Sequence, residues 1–120
     1  MPRLALVVDD SMLIRHSVCR FPEERGFAVE SASNGRDALA IVERVRPDIV
    51  ITDIDMPVMG GRELIRVLKS KPETQSIPIV IVAGRSTAAA EAQSYAEFAI
   101  FKDIEIEQQL SRALEATLAK

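Results

Sequence analysis

An α/β fold on a parallel sheet is predicted by three features of the chain: short β-branched runs that recur along its length, helical patterns between them, and regular alternation of the two. Near-continuous apolar runs stand at 4–8 (LALVV), 49–52 (IVIT), 79–83 (IVIVA) and 98–101 (FAIF). Such runs mark strands buried on both faces, as a parallel sheet requires. A fifth run, AVESA at 28–32, alternates instead, so it reads as a half-exposed strand at an edge. Right-handed crossovers then wind helices onto both faces. The expected fold is a flavodoxin-like, doubly wound sheet of five parallel strands in the order 2-1-3-4-5, with five helices on its two faces.

The helices follow in order. The first starts near Ser11 and meets Pro22 inside its span. Proline removes a helical hydrogen bond and clashes with the carbonyl one turn back, at roughly 3 kcal/mol or more. A kink over 18–21 is the preferred outcome, and an early stop with Pro22 opening a short turn is the alternative. In the second helix, Ala38, Leu39, Ile41, Val42 and Val45 recur at helical spacing behind an Asn34 cap, with Asp37 in the first turn. Gly61 to Lys69 repeats the pattern with Leu64, Ile65 and Leu68. The last segment carries Ile106, Leu110, Ala113, Leu114, Thr117 and Leu118 on one stripe, with Glu107, Gln108, Gln109, Arg112 and Glu115 off it. A closing amphipathic helix is expected there.

Bulk properties narrow the function classes. The 120 residues make one domain, 1–120, able to bury a core without metal or disulfide staples. At 48% hydrophobic and 28% charged the chain is of globular type, and disorder is excluded. A net charge of −3 with scattered lysines and arginines argues against a nucleic-acid surface. No apolar run reaches the ~18 residues of a membrane span, so no membrane contact is expected and a cytoplasmic location is. The lone Cys19 reads as a partly buried small residue in a reducing compartment, and His16 as a surface residue of the first helix.

In open α/β sheets ligands sit beyond the carboxyl ends of the strands. That rule gathers Asp9 and Asp10 after the first strand, Asp53 after the third, Ala83 at the end of the fourth and Lys102 after the fifth. Adjacent carboxylates repel and lose hydration on burial unless a cation offsets them. Three acids and a lysine at one edge suit Mg2+ or Mn2+, hard ions that take oxygen ligands and retain waters. If Asp53 attacks phosphorus, the metal and Lys102 neutralise charge on the transferring oxygens.

The segments VVDDS at 7–11, ERGFAVESASNGRDAL at 24–39, RPDIVITDIDMPVMGG at 46–61 and a lysine after the fifth strand resemble the receiver domain of two-component response regulators. The resemblance covers essentially the whole chain. It implies that Asp53 is the phospho-acceptor, supplied by a histidine kinase or phosphotransfer protein. It implies that Asp10 binds the metal directly, Asp9 mainly through water, and Asp55 through its backbone carbonyl, while Lys102 pairs with the phosphate. Met56 and Pro57 shape the turn after the acceptor, with ordinary loop packing the expected role of Met56, and Gly60 or Gly61 allows the bend into the next helix. Beyond self-phosphorylation and slow autodephosphorylation no enzyme activity is expected. With no output domain expected, signalling would run through a downstream protein partner.

Three positions depart from the family pattern. The family usually places Ser or Thr at the end of the fourth strand, to hydrogen-bond the phosphoryl group through its hydroxyl; here Ala83 stands, leaving only its backbone. The aromatic expected three residues before the lysine is Ala99, beside Phe98. Asp103 follows Lys102 where proline is usual, so a trans peptide and a relaid loop are expected, since cis without proline costs ~2.5–4 kcal/mol. Ser86 or Thr87 could substitute for the hydroxyl by loop rearrangement. Arg85 and Asp55 could approach across the mouth of the site or stay solvated.

Two alternatives stand beside the phospho-accepting reading. An interaction module would keep the fold and bind its partner regardless of phosphorylation, with Ala83 and Ala99 as the mark of a lost switch. A small phosphatase would use Asp53 as nucleophile and Asp55 as acid, as haloacid-dehalogenase-like hydrolases do. Those enzymes place that motif on their first core strand and need a larger chain.

Overall fold

A computed structural model describes residues 3–54, 56–83 and 98–101, together with Arg112, Leu114 and Glu115; at 83 and 98–101 the description is of the backbone. Strands β1 (Leu4–Val8), β2 (Ala28–Ala32), β3 (Ile49–Thr52), β4 (Ile79–Ala83) and β5 (Phe98–Phe101) form one parallel sheet in the order β2-β1-β3-β4-β5. Each strand coincides with an apolar or alternating run of the sequence. Helices α1 (Met12–Glu24), α2 (Gly35–Val45) and α3 (Gly61–Ser70) are the described helices. The closing helix, apart from its three described residues, and the full count of five helices lie outside the described residues.

Strand alternation divides the core between two faces. Leu6 and Val8 of β1, Val50 of β3 and Ile79 and Ile81 of β4 pack with Ala38 and Val42 of α2 and with Leu64, Ile65 and Leu68 of α3. Ala5, Val7, Ile49, Ile51, Val80 and Val82 point the other way, onto Val18 of α1 and Leu114. The buried Leu114, with Arg112 and Glu115 exposed and all three helical, matches the stripe expected for the closing helix. In the described sheet, strand β2 stands at one edge beside β1 and is partly exposed, as its alternating pattern requires. Leu64 and Leu68 are fully buried, and truncating either to Ala costs about 2–5 kcal/mol through lost transfer energy and the cavity left behind.

Local signals set the helix starts. Ser11 Oγ accepts from the Ile14 amide at 3.3 Å and opens α1 directly after the acid pair. Asn34 Oδ1 accepts from the Asp37 amide at 2.9 Å and opens α2. Helix α1 continues through Pro22 to Glu24, so the early stop does not occur. Pro22 stands in the last turn, and its carbonyl accepts from the amides of Arg25 and Phe27 at 3.0 Å.

Candidate functional site: an acidic cluster at the carboxyl edge

The sheet brings the acids together by register. Val8 of β1 lies opposite Thr52 of β3, and each strand then runs one residue further into a carboxylate. The ladder continues through these residues, with the Asp53 amide donating to the Val8 carbonyl at 2.9 Å and the Asp9 amide to the Ala32 carbonyl at 3.1 Å. One carboxylate oxygen each from Asp9, Asp10 and Asp53 lies within 4.8 Å of the others. Asp9 and Asp53 are buried and Asp10 is exposed. Asp9 Oδ1 accepts from the Ser11 amide at 2.9 Å, and Asp53 Oδ1 from the Ile54 amide at 2.8 Å. Backbone donors thus orient both buried carboxylates. Two oriented, buried acids with a third at the mouth are a donor set that suits a hard divalent cation.

Residues outside the expected set also hold this geometry. Arg15 Nη1 donates to the Asp9 carbonyl at 2.8 Å, pinning the turn between β1 and α1. No local pattern signals it, because its partner is a main-chain carbonyl. The Thr52 hydroxyl donates to the Asp53 carbonyl at 2.9 Å. Gly61 packs its Cα against that same carbonyl: a Cβ there would collide with the Asp53 oxygen and come within 2.9 Å of Ile54 Cα. Its amide donates to the Ile54 carbonyl at 2.8 Å. The expectation that Gly60 or Gly61 serves a bend is therefore corrected. Gly60 has φ −79° and neither glycine takes a positive φ; Gly61 serves a close approach of α3 to the end of β3.

The unusual backbone falls one residue earlier in that loop. Val58 has φ 67°, and across it the Met59 amide donates to the Pro57 carbonyl at 2.7 Å, closing a γ-turn. A β-branched residue at positive φ is strained, at about 1–3 kcal/mol. Met56 and Met59 are partly buried against the core on the α2–α3 face, so Met56 packs as expected. Asp55, Arg85, Ser86, Thr87, Lys102 and Asp103 lie outside the described residues. Ala83 ends β4 opposite Phe101, and Ala99 lies opposite Ile81 in β5; their side chains are outside the description.

A comparison with known families decides the identity. The sequence profile of the response regulator receiver domain matches residues 5–114. The chain belongs to that family. As a receiver, it is 37% identical over 89 residues to the response regulator MprA of Mycolicibacterium vanbaalenii, a match spanning 74% of this chain and 38% of that protein. It is 39% identical over 89 residues to a protein-glutamate methylesterase/protein-glutamine glutaminase of Geobacillus kaustophilus, where the match spans 72% of this chain and 24% of the relative. The receiver therefore corresponds to well under half the length of these two relatives. The chemotaxis response regulator CheY4 of Vibrio cholerae superposes with a TM-score of 0.86 at 29% identity, covering 98% of this chain and 99% of that one. The receiver is thus a component of two-component signalling systems with the chemotaxis-regulator fold.

The remaining sequence readings of side chains fall away from the cluster. His16 is exposed on α1. Cys19 is half-buried, and burial pushes its thiol above the usual range, reinforced by Glu23 and opposed by Arg15. It is a packing residue of α1, where it lies against the core. Among the described residues, no helix is long and apolar enough to cross a membrane.

Proposed function

We propose that this receiver accepts a phosphoryl group on Asp53 from the phosphohistidine of a histidine kinase or phosphotransfer protein and signals by binding a protein partner. The convergence of Asp9, Asp10 and Asp53 carries the reading. An Asp53 carboxylate oxygen forms the new O–P bond while the donor's N–P bond breaks and its electron pair returns to the imidazole. The Ile54 amide holds that carboxylate in place, and the Ser11 amide does the same for Asp9. Asp10, Asp53 and the Asp55 backbone carbonyl would hold Mg2+ or Mn2+, with Asp9 serving mainly through water. When bound, the cation neutralises charge that spreads over the transferring oxygens. In this reading Lys102 would pair with the phosphate beside the Ala83 backbone, and Met56 and Arg85 would stand at the mouth.

Docking of a protein donor is supported by exposed apolar side chains in the two segments that follow the acids. Met12 and Leu13 are each 75% exposed just beyond the acid pair, and Val58 is 73% exposed in the loop after Asp53. Large apolar groups left this open beside a charged site favour contact with another protein. The test is incubation with a small phosphodonor and Mg2+ followed by intact-mass spectrometry. One added phosphoryl group is expected in the native chain and none in Asp53→Ala. An unmodified native chain under several donors contradicts the proposal.

A second reading rests on Ala83 and Ala99, which lack the hydroxyl and aromatic ring usual at those positions. It makes the domain an interaction module whose partner binds in either state. Equal partner affinity with and without an acyl-phosphate mimic supports the module, because a ligand with equal affinity for two states shifts nothing.

A further inference from the structure

The loop leaving Asp53 is anchored at its base and again at its far end. At the base, the Gly61 amide donates to the Ile54 carbonyl at 2.8 Å. At the far end, the Gly35 amide donates to the Met59 carbonyl at 2.8 Å. Gly35 is the first residue of α2, so its amide is a helix-start donor with no partner inside the helix. The contact requires a residue without Cβ. A Cβ on Gly35 would stand 2.8 Å from the Met59 carbonyl oxygen, 2.8 Å from Met59 Cγ and 3.1 Å from its Sδ. Between the two anchors Val58 is held at φ 67°, a conformation a valine leaves when released.

We infer that Gly35 is a positioning residue for the acceptor loop: its bond to Met59 holds residues 56–60 in the strained turn and thereby keeps the Asp53 end of that loop in register with Asp9 and Asp10. The inference rests on the proposed metal site for its link to function, while the clasp itself stands on the geometry alone. Gly35 touches neither metal nor phosphate. It acts from the start of another helix, through the main chain of the loop.

The test measures the folded, metal-free protein first and Mg2+ binding second. In Gly35→Ala, hydrogen exchange of the amides over 56–61 is expected to quicken about three- to tenfold, the range that loss of one ordinary hydrogen bond allows. Calorimetric Mg2+ affinity is expected to fall by the same about three- to tenfold. Val42→Ala is the control for a purely structural effect: it removes core packing from the same helix, lowers the unfolding midpoint and leaves loop exchange and Mg2+ affinity as in the native chain. If Gly35→Ala folds poorly, Gly35→Ala/Met59→Ala compared with Met59→Ala asks the same question, because the side-chain collision is gone and the carbonyl collision stays. Unchanged loop exchange in the Gly35 variant, or equal effects in Val42→Ala, overturns the inference. A native chain that binds no Mg2+ refutes the metal reading, and loop exchange then decides the clasp alone.

Discussion

The carboxyl edge of the sheet carries different chemistry in its two halves. At the ends of β1 and β3 stand three carboxylates, two of them buried and each oriented by a backbone amide. At the end of β4 the chain places Ala83, and within β5, two residues before its end, Ala99, where related receivers usually carry a hydroxyl and an aromatic ring. Under the proposed function, the difference separates side chains that would receive a phosphoryl group from side chains that would respond to it. The first set needs converging acids held by main-chain geometry. The second would need groups that contact the phosphoryl oxygens or move in reply, and Ala83 and Ala99 stand at two of those positions.

The largest expected effect lies in the acidic half. With Mg2+ at a hundred times its dissociation constant, the native chain should gain about 2.7 kcal/mol of unfolding free energy over the same protein in chelator. Asp10 lies within 4.8 Å of Asp9 and Asp53, so Asp10→Asn should relieve carboxylate repulsion, leave the metal-free protein at least as stable as the native chain, and lose most of that gain. Denaturant titration with and without Mg2+ reads both numbers, and a full gain in the variant would separate Asp10 from the metal.

The β4 half is tested by restoring what it lacks. Ala83→Ser returns a hydroxyl to the end of β4, and a hydrogen bond to a charged acceptor contributes roughly 1.5–3 kcal/mol. The difference in unfolding free energy between the protein with and without an acyl-phosphate mimic should widen by that amount relative to the native chain. An unchanged difference would mean that the missing hydroxyl is not what sets the two halves apart.

The smallest effect belongs to neither half. The Thr74 hydroxyl donates to the Leu68 carbonyl at 2.6 Å beyond α3, so Thr74→Val should cost about 1 kcal/mol in thermal or denaturant unfolding. Phosphoryl uptake from a small donor should stay at the native extent. Reduced uptake would show that acceptance depends on general stability and that the acidic half is not a self-contained unit.

Much of this architecture is legible in the chain. Parallel strands buried on both faces must be apolar throughout, so LALVV, IVIT, IVIVA and FAIF declare themselves, and AVESA betrays its edge position by alternating. The caps at Ser11 and Asn34 are legible because a cap is a local hydrogen bond within one turn. The acids are legible as a cluster because strand ends in such a sheet share one edge. What stays hidden is contact between segments distant in sequence. Gly61 against the Asp53 carbonyl and Gly35 against Met59 are close approaches that no local pattern encodes, and the glycines alone suggest turns. The positive φ of Val58 runs against residue preference altogether, because the anchors around the loop impose it. Arg15 was hidden for a similar reason: its partner is a carbonyl, and every residue has one.

The most direct measurement is to locate the phosphoryl group itself. Borohydride reduces an aspartyl phosphate to the alcohol with loss of phosphate, leaving a permanent mark at the modified residue. After treatment with a small phosphodonor and Mg2+, reduction and peptide mapping should place that mark at Asp53 alone, and chelator should abolish it. A mark on Asp9 or Asp10, or a mark that forms equally well in chelator, would contradict the account.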